Sequence, residues 1–171
     1  METPKIYVGT YAKYNNGSIA GGWLDLDDYT DRDEFYQACR ELHPDENDPE
    51  FMFQDHENIP DCFIGESWIS EKFWSYMEAV KEVSNSEAFE AYVNHFGYDL
   101  QNEDITELIE KFDDAFQGEQ SASDFTYDLV QSMLPSDAPE FLLSYFDYDK
   151  YERDLFMGDY TEVDGFIFSN H

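Results

Sequence analysis

Between residues 143 and 156 the chain reads Leu143-Ser144-Tyr145-Phe146-Asp147-Tyr148-Asp149-Lys150-Tyr151-Glu152-Arg153-Asp154-Leu155-Phe156. Aromatic residues and carboxylates follow one another closely in this stretch, and only two cations interrupt them. Tyr148, Tyr151 and Leu155 are spaced i, i+3, i+7, which predicts a helix with these side chains on its apolar face. Asp149 precedes Arg153 by four residues, the favourable order for an ion pair along a helix. Almost every other segment of the chain repeats this amphipathic arrangement with the same sign of charge.

The whole chain has an extreme excess of acidic residues. Its 171 residues include 40 Asp and Glu against 9 Lys and Arg, a formal net charge of −31 at pH 7. Disordered acidic proteins are poor in aromatic residues, whereas this chain has 15 Phe, 13 Tyr and 3 Trp, which favours a packed core. Solubility needs a net charge of only about 2 to 8. The excess therefore indicates a function: it repels nucleic acid and anionic membranes, and it attracts basic protein grooves.

The spacing of apolar residues predicts an α+β fold that begins and ends with sheet. The N-terminal order is β-β-α-β, with a helix that Asp31 caps and with strands at Ile6–Tyr11, Gly22–Leu26 and Phe51–Asp55. Further helices are expected over residues 70–83, from a cap at Ser86 to a stop at Gly97, over 104–117 and from about Ser123. Asp164-Gly165, between two short apolar stretches, predicts a closing hairpin.

These elements predict an elongated chain of three small subdomains. An N-terminal β-β-α-β subdomain covers residues 1–61, a helical subdomain covers 62–103, and a C-terminal α+β subdomain covers 104–171. Duplex DNA carries one charge per about 1.7 Å, so the 31 charges would extend over roughly 53 Å at that density. A compact globule of this length is only about 40 Å across. A row of subdomains allows a spacing close to that of DNA, so we predict that the chain imitates duplex DNA.

Other interpretations of the charge stay open from the residues alone. Salt-adapted proteins are also acidic and poor in Lys, although this aromatic content fits that class less well. The chain could be an acidic adaptor for a basic protein unrelated to DNA, or a protein that binds cations. Five acids crowd one loop, but the sixth and twelfth positions counted from Asp25 are Thr30 and Tyr36, where an EF-hand needs Gly and Glu.

The sequence lacks the motifs that most enzymes carry. It has no GxSxG, no Walker loop and no GxGxxG. The histidines and cysteines show no ligand spacing of a metal or redox site; they are His43, His56, His95, His171, Cys39 and Cys62. We therefore predict that the protein is not an enzyme and that it uses no cofactor and no metal.

The apolar runs of the sequence indicate where in the cell the protein is expected. None approaches 18 residues, so no transmembrane helix is expected. The N-terminal residues do not form a charged segment followed by an apolar one, so no signal peptide is expected either. We expect a cytoplasmic protein whose cysteines stay reduced.

Several stretches resemble the ArdA family of antirestriction proteins, which bacterial mobile elements carry. They are Ile6-Tyr7-Val8-Gly9-Thr10, Tyr14-Asn15-Asn16-Gly17-Ser18-Ile19-Ala20-Gly21, Trp23-Leu24-Asp25-Leu26, Asp48-Pro49-Glu50-Phe51-Met52-Phe53-Gln54-Asp55, Phe116-Gln117-Gly118-Glu119, and Pro139-Glu140 through Leu155-Phe156. The similarity extends from one end of the chain to the other. Residues from about Cys62 to Asn94 match only in their acidic, helical character.

The resemblance implies a homodimeric mimic of DNA that inhibits type I restriction–modification enzymes. The inhibitor would occupy the DNA-binding groove that the specificity and modification subunits form, and it would bind neither nucleic acid nor membranes. The resemblance also implies three small subdomains, with dimer contacts in the C-terminal third. Acidic adaptor or cation-binding functions remain the alternative.

Two groups of residues are the candidates for the functional surface. The acids expected to contact the target are Asp25, Asp27, Asp28, Asp31, Asp33, Glu103, Asp104, Glu107, Glu110, Asp113 and Asp114. The resemblance places an antirestriction motif, and a possible dimer region, at Leu134, Pro139, Glu140, Phe141, Leu142, Tyr145, Phe146 and Asp147. For Phe141, Leu142, Tyr145 and Phe146, we favour a place in the core over a place in a dimer surface.

Overall fold

A computed structural model describes residues 2–170, apart from the side chain of Glu140. Within this part of the chain eight α-helices and eight strands form an α+β fold with three small antiparallel sheets, which confirms the predicted class. The chain divides into two compact units. The first comprises the residues up to Glu82 together with Leu100–Ile105, and the second comprises Val83–Asp99 and the residues from Thr106 onward.

The first unit is built on a three-stranded sheet in which β1 lies between β2 and β3. Its elements are β1 (Lys5–Thr10), α1 (Tyr11–Asn15), β2 (Gly22–Asp25), α2 (Arg32–Leu42), β3 (Phe51–Glu57), β4 (Ile64–Gly65), β5 (Trp68–Ile69) and α3 (Lys72–Val80). The predicted β-β-α-β order is present, with the short helix α1 added between the first two strands. Asp31 caps α2 as predicted, because its carboxylate accepts a hydrogen bond from the Glu34 amide at 2.9 Å.

One hydrophobic cluster forms the core of the first unit. Alternate residues of β1 and the i, i+4 pair of α2 supply its centre, and the buried members are Ile6, Val8, Leu26, Phe35, Cys39, Phe53, Ile59, Phe63, Ile64, Ile69, Phe73, Trp74 and Met77. Phe35 has rings around it from three elements, including Phe53 and Trp74. The predicted boundary at residue 61 falls between members of this cluster, and the division into three subdomains stays a prediction.

The second unit packs helices against a sheet of order β6-β8-β7. Its elements are α4 (Ser86–Phe96), α5 (Ile105–Ala115), β6 (Phe116–Glu119), α6 (Ala122–Met133), α7 (Glu140–Leu143), α8 (Tyr148–Phe156), β7 (Tyr160–Val163) and β8 (Phe166–Ser169). The hairpin between β7 and β8 turns at Asp164 and Gly165 as predicted, and both have positive φ, 52° and 85°. A two-residue turn of this kind requires positive φ, which Gly and Asp tolerate.

Phe112 is the centre of the core of the second unit. Its fully buried ring lies within 5.2–6.4 Å, between centroids, of the rings of Phe89, Tyr92, Phe116 and Phe168. These neighbours come from α4, β6 and β8, so one side chain joins two helices to the sheet. Phe125 of α6 packs against the ring of Phe156 in α8 and the ring of Tyr160 in β7.

Three local predictions in the second unit were wrong. Asn85, not Ser86, caps α4, and its side chain accepts a hydrogen bond from the Ala88 amide. Helix α5 ends at Ala115 rather than at Gln117, because Phe116 and Gln117 enter strand β6, whose bulge places Gly118 at a φ of 133°. In the described residues Asp149 and Arg153 do not form an ion pair, and both side chains are exposed. Helix α8 otherwise buries Leu155 on the expected face.

None of the helices among residues 2–170 has the length and apolar character that crossing a membrane requires.

The N-cap of α2 provides a matched test of the fold. Asp31→Ala should lower the free energy of unfolding by about 1 kcal/mol, because the Glu34 amide loses its acceptor. Asp33→Ala removes the same charge from the first turn of α2 but no cap, and should cost only about 0.3 kcal/mol. Urea denaturation of both variants and of Asp31→Asn, which keeps the acceptor, measures the difference. Equal losses for Asp31→Ala and Asp33→Ala would contradict the capping role.

Candidate functional site

The five predicted acids of the first unit are all exposed. They lie at the end of β2, in the 3-10 turn Leu26–Asp28 and at the start of α2. Leu26 is fully buried and fixes this turn to the core, so the acids on either side of it face solvent. Two of the five have local partners: Asp31 caps α2, and Asp27 lies 3.5 Å from the Lys81 ammonium. The exposure of these acids and the cap by Asp31 agree with the sequence prediction, whereas the ion pair between Asp27 and Lys81 was not predicted.

The six predicted acids near and on α5 are exposed as well. Leu108, Phe112 and Ala115 form the buried face of this helix. Glu103 and Asp104 precede its first residue, and the other four lie along its exposed surface. Lys111, the one cation in the sequence of α5, lies 5.6 Å from the centre of the Tyr98 ring. This helix thus presents a strongly acidic face to solvent.

The net charge is divided almost evenly between the two units. The first unit contains 21 acids and six bases, a net charge of −15, and the second contains 19 acids and three bases, a net charge of −16. Among the described residues, ion pairs within the first unit use Lys5, Lys13, Arg32 and Lys81. Exposed pairs of this kind contribute little to stability. Both units therefore present an excess of negative charge to a partner.

The predicted motif region contains exposed apolar side chains. The exposed fractions are 66% for Phe141, 54% for Leu142, 84% for Tyr145 and 40% for Phe146. Our preference for a place in the core was therefore wrong: α7 is a single turn and buries none of its apolar residues. We call these four residues the C-terminal apolar segment. The spacing of apolar residues in a strand or a helix does not show whether the chain's own core or another chain covers them.

The other residues of the predicted motif lie on either side of the C-terminal apolar segment. Leu134 ends α6 and is half-buried, Pro139 precedes α7 and is exposed, and Asp147 caps α8 by accepting a hydrogen bond from the Lys150 amide at 3.0 Å. The side chain of Glu140 lies outside the described residues. Phe146 packs edge-on against Tyr148 of α8 at 4.8 Å between centroids, which fixes one end of the C-terminal apolar segment.

An open cavity of about 340 Å³ lies within the second unit. Four carboxylates and an amide surround a partly apolar floor, and the lining residues are Glu87, Glu90, Ala91, Asn94, Glu119, Asp164 and Phe166. Such a lining favours a cationic group over an anion. This cavity was not predictable from the sequence, because its acids come from α4, β6 and the β7–β8 turn and have no common spacing.

A cluster of polar side chains surrounds Lys13 in the first unit. The Lys13 ammonium lies 2.9 Å from His43 Nδ1, 2.9 Å from Asp45 Oδ1 and 3.7 Å from Glu46 Oε1. Thr10 donates a hydrogen bond to Glu46 Oε1 at 2.7 Å. We call these five residues the Lys13 cluster. The cluster was not predicted, because about thirty residues separate Thr10 and Lys13 from the other three members.

The two cysteines have different environments. Cys39 is fully buried in the core of the first unit, and burial raises the pKa of its thiol to about 12. Cys62 is exposed. A thiol with so high a pKa contains almost no thiolate at neutral pH, so Cys39 does not act as a nucleophile.

The comparisons with known proteins give one family. The model of the family described as antirestriction protein (ArdA) matches residues 6–168, which extend through both compact units. A search of curated proteins finds no match.

The difference between the two thiols is directly measurable. In the folded protein at pH 8, a thiol reagent should label Cys62 rapidly and Cys39 at least a hundredfold more slowly, since burial and the raised pKa both protect Cys39. Both should react after denaturation. Cys62→Ser is the control and should leave the folded chain unlabelled. Fast labelling of that variant would contradict the buried position of Cys39.

Proposed function

Since the chain belongs to the ArdA family of antirestriction proteins, we propose that it inhibits type I restriction–modification enzymes by mimicking duplex DNA. The observation that carries the proposal is the charge: a net of −15 on one compact unit and −16 on the other. The groove that holds DNA in such an enzyme must be lined with Lys and Arg, because phosphate contacts dominate affinity for DNA. The carboxylates of an acidic protein surface form ion pairs with the same Lys and Arg side chains.

The predicted acids are the proposed contact surface. Asp25, Asp28 and Asp33 in the first unit and Glu110, Asp113 and Asp114 on α5 are exposed carboxylates. Carboxylates accept two parallel hydrogen bonds from Arg, as phosphates do. The acidic cavity of the second unit offers a further position for a Lys or Arg side chain of the groove. Binding of this kind uses many modest contacts and long-range attraction rather than one dominant residue.

The inhibitor acts by occupancy and catalyses no reaction. We propose that it works in the cytoplasm of a bacterial host, where it protects a mobile element from the restriction enzyme of the host. It is expected to bind the assembled specificity and modification subunits, and to bind neither nucleic acid nor membranes, because its charge has the same sign as theirs.

We also propose that the chain forms a homodimer through the C-terminal apolar segment. Four large apolar side chains that lie exposed within six residues of one another are typical of a surface that another protein covers. Two chains together would carry twice the charge of −31, comparable with roughly 30 base pairs of phosphate. A dimer would thus match a long DNA site.

Competition with DNA tests the proposed function. A purified type I methyltransferase with a labelled duplex that contains its target should lose the duplex when the protein is added at low salt. The apparent affinity should fall about tenfold or more between 50 and 200 mM salt, because the attraction is electrostatic. Failure to displace the duplex at low salt would refute the DNA-mimic proposal. Binding to an unrelated basic protein with equal affinity would favour the acidic adaptor instead.

Charge neutralisation tests the proposed contact surface. The triple variant Asp25→Asn, Asp28→Asn, Asp33→Asn and the triple variant Glu110→Gln, Asp113→Asn, Asp114→Asn should each weaken inhibition about tenfold, since each lost contact is worth up to about 1 kcal/mol. The matched control is Glu41→Gln, Asp48→Asn, Glu50→Gln, which removes three other exposed acids. An equal loss in the control would mean that only total charge matters and that the predicted acids have no special place.

Sedimentation tests the proposed dimer. The double variant Phe141→Ala, Tyr145→Ala should weaken self-association at least tenfold, because two exposed rings lose their apolar contacts across the interface. Tyr14→Ala, which removes an exposed ring of the first unit, is the control and should leave self-association unchanged. A monomeric native chain at micromolar concentration would refute the dimer proposal but not the mimicry.

A further inference from the structure

The Lys13 cluster has the donor atoms of a metal site around an ammonium group. One imidazole nitrogen and two carboxylates converge on it, and the possible ligand atoms of His43, Asp45 and Glu46 all lie within 4.8 Å of one another. The sequence spacing of the histidines predicted no metal site. The three possible ligands lie within residues 43–46, and the fold places Lys13 of α1 beside them.

The hydrogen bonds of His43 fix which of its nitrogens is available. Its ring is buried, and Nε2 lies 3.2 Å from the carbonyl oxygen of Val8. A carbonyl oxygen only accepts, so Nε2 carries the proton and donates it. The lone pair of Nδ1 therefore points toward the Lys13 ammonium, 2.9 Å away. Metal-binding histidines are oriented in the same way, with the second nitrogen donating to a carbonyl or carboxylate.

The carboxylates are also prepared to bind a cation. Thr10, which is fully buried, donates to Glu46 Oε1 and so fixes the orientation of that carboxylate. Asp45 Oδ1 accepts a hydrogen bond from the Lys13 ammonium at 2.9 Å, so this carboxylate already faces the position of a cation. One ammonium faces two carboxylates in this cluster. A divalent ion in its place would balance both negative charges.

We propose that the Lys13 cluster is a site for a divalent transition metal such as Zn²⁺, and that Lys13 occupies the metal position until the ion replaces it. One imidazole and two carboxylates suit Zn²⁺, Co²⁺ or Mn²⁺ better than Ca²⁺ or Mg²⁺, which prefer oxygen ligands alone. Bonds of about 2.0–2.2 Å require the ligand atoms to approach one another to about 3.3 Å. Asp45 can make this movement because its side chain is 64% exposed.

Displacement of Lys13 is physically simple. Its long, flexible side chain lies on a short surface helix, and an ammonium is strongly hydrated once it reaches water. The ion would then hold the residue that follows α2, His43, to the loop that contains Asp45 and Glu46. This site is independent of the proposed inhibition of restriction enzymes.

Calorimetric titration of Zn²⁺ into the chelator-treated full chain tests the site, with Mg²⁺ in excess to saturate the exposed carboxylates. We expect one Zn²⁺ per chain. Lys13→Met should raise the affinity at least tenfold, because it removes the competing cation and keeps the aliphatic stem. Binding by Lys13→Met alone, without binding by the native chain, would overturn the proposal, since Lys13 would then not be displaced.

Two further variants separate this site from diffuse binding to an acidic surface. Asp45→Asn combined with Glu46→Gln should lower the affinity at least tenfold, with circular dichroism as the check on folding. His95→Gln is the matched control, because His95 is exposed and lies outside the cluster. It should bind Zn²⁺ like the native chain. Unchanged binding in the Asp45→Asn, Glu46→Gln variant, or no stoichiometric binding at all, would refute the proposed site. His43 resonances that shift on addition of Zn²⁺ would support it independently.

Discussion

Aromatic packing has to stabilise the core of each unit against the repulsion between acidic residues that a net charge of −31 brings. Repulsion of this size destabilises any compact state. Phe35 in the first unit and Phe112 in the second are each fully buried and ringed by other aromatic side chains. Aromatic pairs add about 0.5–1.5 kcal/mol each beyond the burial of their area. The high aromatic content therefore offsets the loss of stability that the high net charge causes.

The same constraint explains where the acids lie. Helix α5 buries its large apolar side chains and leaves its carboxylates exposed, with Phe112 inside and Glu110 outside. The charge is −15 on one unit and −16 on the other, and the proposed binding to a basic groove rests on this charge. Cations that the chain does contain are partly used internally, as Lys81 is by Asp27 and Glu78. The proposed function thus depends on negative charge in the same short segments whose folding this charge destabilises.

Features that depend on neighbouring residues were predictable from the sequence. The cap at Asp31, the helix stop at Gly97 and the turn at Asp164-Gly165 are set by local backbone preferences, and all three are present. Features that depend on distant partners were not. Phe116 continues the helical spacing of α5, but pairing with Phe168 places it in a strand.

The candidate surfaces show the same division. Exposure of the predicted acids followed from charge alone. The C-terminal apolar segment could not be assigned, because an apolar pattern is the same whether the partner is the chain's own core or another chain. The Lys13 cluster and the acidic cavity had no local pattern, since the fold assembles each of them from separate segments.

The first unit is discontinuous in sequence, and this affects how the protein is made. Leu100 packs against the core of the first unit, but residues 83–99 before it belong to the second. A chain that leaves the ribosome from its N-terminus therefore completes its first core only after α4 has already emerged. A chain truncated after residue 99 would therefore lack part of the first unit as well as most of the second.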